Sequence, residues 1–342
     1  MTLIVEINDP SVGSFFICDC LVSRIGKTSR NPSRFPLHFG CDWTIDTRGS
    51  SLVSKFLTGS NSFIAGSGSE KDILNVADVF LNYCNKNMSE FQGFLDDYYS
   101  ERKKFESYLY ALESNGEYQS CHYRCFTLKK GHLNVYCGGT GASYLSKIIN
   151  EREPNPEVPL YNLSAQVLAM LMRQEFIDYD FSDHAFGAAY EFLTFDRRGP
   201  RRVPYAVLDF ATNSLMYQNG IHEADPRSMS LDRLIFGVPF DGGTHFLTLV
   251  NREGGAQANV TTVCEALKTP PPEVTDFRQV KSLLHGYHPE FNILLFRVSG
   301  IENSTADYIV SGNLVSWRCS GSGLEWEVDI DKLIKSLLSW NS

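Results

Sequence analysis

Twice in this chain a strand-like apolar run ends in a glycine turn that opens a helical period: SFIAGSGSEKD from Ser62, and HLNVYCGGTGASYLSKIINE from His132. Each junction switches the apolar spacing from every second residue to every third or fourth, so a strand must hand over directly to a helix. After the first turn Ile73, Val76, Val79, Phe80 and Tyr83 fall on one helical face. Residues 2–7 and 14–22 alternate in strand fashion around the turn-like NDPSVG, and SLVSKF and SFIAG add two short strands joined by TGSN. Helical character is expected to continue, with a break, through FQGFLDDYYSERKKFESYLYAL. A hairpin is expected around Lys130 and Gly131, and a further helix over LSAQVLAMLMRQEFIDYDF. Residues 23–50, rich in Ser, Arg, Gly and Pro, read as a long irregular insertion. This order predicts an α+β fold with antiparallel sheets and helices outside them.

The character changes near Ser214. LIFGVPFDGG, HFLTLVN, NILLFRVSG, DYIVSG and LVSWRC read as strands between glycine turns, with short helices expected over KSLLHG and at the C-terminus. With 342 residues the length fits about two domains, divided here as 2–213 and a β-rich C-terminal extension over 214–342.

A net charge of -9 argues against a nucleic-acid surface. The local basic clusters, Arg102 to Lys104 and Arg197, Arg198, Arg201 and Arg202, have no interleaved aromatics. No apolar run approaches the ~18 residues a membrane helix needs, and the N-terminus has no signal-peptide pattern. Nine cysteines at irregular spacing fit reduced thiols and a cytoplasmic setting. Cys121, His122 and Cys125 form a metal-like pattern without a second pair, and His285 and His288 are isolated, so neither metal nor cofactor is expected. The glycine turns also suggest phosphate binding, but neither continues as a P-loop or a dinucleotide fingerprint.

One alignment of landmarks takes in both turns. Thr2 opens TLIV; Asp19 closes the next strand in FFICDC; Lys55 lies in LVSKF; SGSEKD runs from Ser67 with Gly68 in its turn; GTG spans Gly139 to Gly141 around Thr140; DHAFGAA begins at Asp183. In this order they resemble the proteasome β-type subunits and bacterial proteasome-like peptidases, a family of N-terminal nucleophile hydrolases. The match covers Thr2 to Asp183. The sequence departs from the family pattern in an extra residue between Thr2 and Asp19, a long insertion before Lys55, Thr140 in place of serine, and Phe186 at a usual serine position. The resemblance implies a four-layer αββα sandwich, an N-terminal threonine peptidase, a homo-oligomeric ring or related assembly, peptide or unfolded-protein substrates, and an ATP-dependent unfoldase as partner.

The chemistry is consistent with these residue types. A threonine hydroxyl needs a base to attack an amide, and a free α-amine on the same residue, with a reference pKa of about 7.7–8.0, is such a base. Lys55 would keep that amine neutral, and Asp19 would orient and neutralise Lys55. The backbone N–H of Gly68 would stabilise an oxyanion. Thr140 and Asp183 would hold the amine and a lytic water. All of this requires that Met1 be removed. The alternative is a catalytically silent, proteasome-like scaffold acting through the 214–342 extension.

Overall fold

The computed structural model describes residues 2–11, 13–23, 50–84, 87–100, 106–114, 117–151, 160–177, 189–196, 199–212, 215–218, 221–224, 230–252, 255–275, 277–298, 307–311, 315–320 and 323–328. The chain begins with a hairpin of β1 (Ile4–Asp9) and β2 (Gly13–Asp19), in register from Ile4 opposite Cys18 to Asp9 opposite Gly13. The short β3 (Leu21–Ser23) and β4 (Ser50–Leu52) pair with each other. Next come β5 (Phe56–Thr58), β6 (Ser62–Ser67), α1 (Glu70–Val79) with a π-helical turn over Phe80–Cys84, and α2 (Met88–Tyr99). They are followed by β7 (Ser107–Ser114), β8 (Glu117–Tyr123), β9 (Phe126–Lys130), β10 (Leu133–Gly138), α3 (Ala142–Glu151) and α4 (Leu160–Ile177). The rest comprises β11 (Tyr190–Asp196), β12 (Gly199–Arg202), β13 (Tyr205–Thr212), β14 (Leu215–Gln218), β15 (Ile221–Ala224), β16 (Ser230–Phe240), β17 (Gly243–Arg252) and β18 (Gly255–Cys264). It closes with α5 (Phe277–Leu284), β19 (Phe291–Val298), β20 (Asp307–Ser311), β21 (Val315–Ser320) and β22 (Gly323–Val328).

Three larger sheets result. One runs β12-β11-β2-β1-β10-β9, a second β5-β6-β7-β8, and a third β18-β17-β16-β13-β19-β20. The pairs are antiparallel except β13 with β19, which run parallel. Strand alternation divides the apolar residues among distinct cores. Ile4, Phe16, Phe56, Phe63, Leu109 and Ala111 pack where the first and second sheets face each other. Tyr108 and Tyr110, the alternate residues of β7, meet Val76 of α1, Phe80 of the π-helical turn, and Phe91 and Leu95 of α2. On the opposite face of the first sheet, Leu3, Val5 and Ile17 share a core with Leu168 and Leu171 of α4 and with Val207, Ile235 and Ile293 of the third sheet. Ala206 and Leu208 face the other way, toward Val280 and Leu284 of α5.

The expected four-layer αββα sandwich is corrected. Among the described residues strand accounts for 51% against 26% helix, with three main sheets and a few helices. The physical reason lies in the long strands β16, β17 and β18, of which β16 and β17 carry runs of consecutive buried residues. These three strands extend from one side of β13, with β19 and β20 on the other, into a sheet that shares the core against α4, where a sandwich would end in a helical layer. The boundary at 213 falls directly after β13, which is flanked in its sheet by β16 and β19.

Helix is also corrected to strand over ESYLYALES. Here Tyr108 and Tyr110 point to one face and Leu109 and Ala111 to the other, a period of two that tertiary burial on both faces enforces. The Lys130–Gly131 hairpin forms as β9 and β10, with Gly131 at φ +58°. Of the insertion expected over 23–50, Ser23 and Ser50 pair as ends of β3 and β4, and residues 24–49 lie outside the described residues, as does the helix expected beyond 328. No helix among the described residues is long and apolar enough to cross a membrane.

Candidate active site

The β1–β2 register places Leu3 opposite Asp19, and this hairpin is where the site begins. Asp19 is fully buried, and its Oδ1 accepts both the Leu3 N–H at 2.6 Å and the Lys55 ammonium at 2.6 Å. Asp19 N–H in turn donates to the Leu3 carbonyl at 3.1 Å. Lys55 is itself nearly buried, its side chain 6% exposed, so carboxylate and ammonium form a desolvated pair. Such a pair is costly to break because either partner alone is an uncompensated buried charge.

Thr2 is 4% exposed and is wrapped by the turn between β10 and α3. Its N–H donates to Thr140 Oγ1 at 3.2 Å, and its carbonyl accepts from the Gly141 N–H at 3.2 Å. Gly139 permits this approach. At φ +88° it has no Cβ, and a Cβ there would lie 2.0 Å from the Thr2 carbonyl oxygen. The same Cβ position lies 3.2 Å from Ser67 Cβ, so the two glycine turns converge on Thr2. Gly68, at φ +129°, follows β6 and precedes the Ser69 N-cap of α1. A side chain at Gly68 would meet Glu106 Cγ at 2.5 Å.

Thr2, Asp19, Lys55, Thr140 and the Gly68 turn therefore gather at one end of the first two sheets. Asp183 and Phe186 lie outside the described residues. His122 turns its Nε2 to Glu6 Oε2 at 2.7 Å and stacks on Tyr136, so its ring serves a buried polar network with Ser14 and Ser120. No cluster of three or more His, Cys, Asp or Glu among the described residues could hold a metal ion. Phosphate is disfavoured at the α1 turn, because Glu70 and Asp72 occupy its first turn and Glu106 adjoins Gly68.

Two features escaped the sequence. Glu106 is buried, and its Oε2 has no hydrogen-bond partner among the described residues. It sits across from Gly68 only because β6 and β7 pair with Ser67 opposite Ser107. The second is an ion network beside Lys55. Arg202 Nε binds Glu191 Oε1 at 2.8 Å, and its Nη2 binds Glu265 Oε1 at 2.9 Å. Ser54 Oγ also donates to Glu191 Oε2, and Thr244 Oγ1 donates to Glu191 Oε1 at 2.9 Å. The sequence signal for this network is the RRGPRR cluster, whose charge alone suggests a surface patch. Arg202, 7% exposed at its side chain, is an internal group.

Burial pushes the Cys18 thiol well above its usual range, with Lys55, Asp19, Glu191 and Arg202 all acting on it in smaller measure. Cys20 is raised in the same way, first by burial and then by Glu191 and Asp19. Burial disfavours the thiolate form of both. The amide that joins Thr2 to Leu3 is held on both sides, its N–H by Asp19 Oδ1 and its carbonyl by the Gly141 N–H, which ties Thr2 to the buried ammonium–carboxylate pair and to the glycine turn. No protein-family model matches the chain, and no curated protein matches it.

Proposed function

We propose that the chain is an N-terminal-threonine peptidase, hydrolysing amide bonds with Thr2 as nucleophile once Met1 has been removed. The observation that carries this is the single oxygen Asp19 Oδ1, bonded at once to Lys55 Nζ and to the backbone N–H next to Thr2. Lys55 is thus fixed relative to the threonine by a buried carboxylate. The Thr2 amine accepts the proton of its own hydroxyl, and the hydroxyl oxygen attacks the substrate carbonyl. The Gly68 N–H stabilises the oxyanion, the Thr2 ammonium gives its proton to the leaving nitrogen as the C–N bond breaks, and water hydrolyses the ester left on Thr2. Thr140 holds the amine, as its hydroxyl now holds the Thr2 N–H at 3.2 Å.

The residue constellation is similar to that of proteasome β-type subunits, and this supports peptide or unfolded-protein substrates, a homo-oligomeric assembly and an ATP-dependent unfoldase as partner. The free thiols of Cys18, Cys20, Cys121, Cys125, Cys137 and Cys264 support a reducing, cytoplasmic setting. A second reading, an inert scaffold acting through its C-terminal part, is favoured by the burial of Thr2 and by the core shared with the third sheet.

Intact mass and activity decide between them. Purified untagged protein should lack the mass of one methionine, hydrolyse a fluorogenic peptide amide and form an adduct with a peptide boronate at Thr2. Retained hydrolysis in Thr2→Ala ends the threonine mechanism. A full-length mass with no adduct moves the assignment to the scaffold.

A further inference from the structure

We propose that Arg202 and Glu265 are positioning residues for Lys55, which makes the third sheet a working part of the site. The catalytic consequence rests on the threonine-peptidase reading; the anchoring does not.

Among the described strands β5, three residues long, lies at the edge of its sheet, paired on one side with β6. Lys55 immediately precedes it, so the backbone that carries Lys55 would have an open outer edge, free to fray. Along that edge the carbonyl of one residue and the N–H two residues on point the same way. Both are taken up here by side chains. The Phe56 carbonyl accepts from Arg202 Nη2 at 3.3 Å, and the Thr58 N–H donates to Glu265 Oε2 at 2.9 Å. Thr58 Oγ1 donates to Glu265 Oε1 at 2.6 Å, and Ser54 Oγ accepts from Arg202 Nη2 at 3.0 Å. The Ser54 N–H donates to the carbonyl of Cys264, the last residue of β18, at 3.2 Å. Ser54 and Thr58 thus bracket Lys55 and β5, and both are tied to the end of β18. A guanidinium and a carboxylate stand where a neighbouring strand would be.

Arginine suits this post. Its planar fork serves Glu191 through Nε and Glu265, Ser54 and Phe56 through Nη2, which a lysine point charge would not do. Glu191 and Glu265 are both buried and flank the guanidinium, so the network is internally neutralised save for one carboxylate. Lys268 adds a further cation, with Nζ 3.3 Å from Thr58 Oγ1.

The test uses the full-length chain with Met1 removed. In Glu265→Ala, amide hydrogen exchange over residues 53–58 should rise about tenfold, because opening of the segment no longer has to break the two bonds from Thr58 to Glu265. With a peptide amide, kcat should fall about tenfold while KM stays within about twofold, as expected when a catalytic group is misplaced and substrate binding is kept. Glu265→Gln, which keeps an acceptor oxygen, should recover much of both and serves where the alanine variant does not fold. Arg201→Met removes the exposed neighbouring pair with Glu290 and should leave every readout unchanged. Unchanged exchange over 53–58 in folded Glu265→Ala overturns the anchoring. Faster exchange with kcat intact overturns the positioning role. A wild type that hydrolyses nothing overturns the peptidase reading, and exchange then still decides whether the network holds the Lys55 segment.

Discussion

Lys55 and Asp19 meet at 2.6 Å with almost no access to water, and that pair sets the energetic stakes of the site. Lys55→Met should abolish hydrolysis and, by leaving the Asp19 carboxylate buried without its ammonium, cost about 3–5 kcal/mol of stability in denaturant titration. A surface lysine on an edge strand would cost next to nothing when replaced, so the measurement separates the two roles. A second residue-scale effect concerns pH. Burial holds the His245 imidazole below its usual value near 6.5, so the unfolded chain binds the proton more readily than the folded one. The contribution is absent above the unfolded value and destabilises as pH falls below it. Replacing His245 with Gln should therefore flatten the loss of stability between about pH 7 and 5, read from melting temperatures.

At the scale of elements, the two strand-to-helix turns do different work from that of phosphate loops. The turn after β10 closes on the Thr2 carbonyl, and the turn after β6 abuts Glu106. Gly139→Ala would set a Cβ 2.0 Å from a backbone oxygen at a residue held at φ +88°. It should lower stability by at least about 2 kcal/mol and remove activity, since the turn must withdraw from Thr2; thermal melting and peptide hydrolysis read the two effects. The turns themselves were legible, because glycine between a two-residue and a helical period has few alternatives. What they enclose was not. Glu106 reaches Gly68 through strand pairing, a contact 38 residues distant that no local pattern encodes.

For the whole molecule, the apolar face of the first sheet is covered partly by α4 and partly by residues of the third sheet, Val207, Ile235, Phe246, Ile293 and Leu295 among them. A chain ending at residue 213 would keep β13 but lose both strands that flank it. It should show no cooperative thermal transition in calorimetry, and bind a hydrophobic dye at neutral pH. A truncated chain with the wild-type transition would show instead that residues 214–342 add nothing to the core. The same sheet brings Glu265 to Thr58, so stability and site geometry depend on one interface.

The sequence by itself determined the short strands around Thr2 and Asp19, the glycine turns and the start of α1, because backbone sterics and apolar periodicity act locally. It also put forward Thr2, Asp19, Lys55, Gly68 and Thr140 as candidates, through residue types in a recognisable order. Tertiary structure alone decided that β13 sits between β16 and β19 in the third sheet and that SYLYALES is a strand. It also decided that Arg202 turns inward. Those outcomes depend on which surfaces exclude water together, and on charges tens to hundreds of residues apart that find one another only after the sheets have packed.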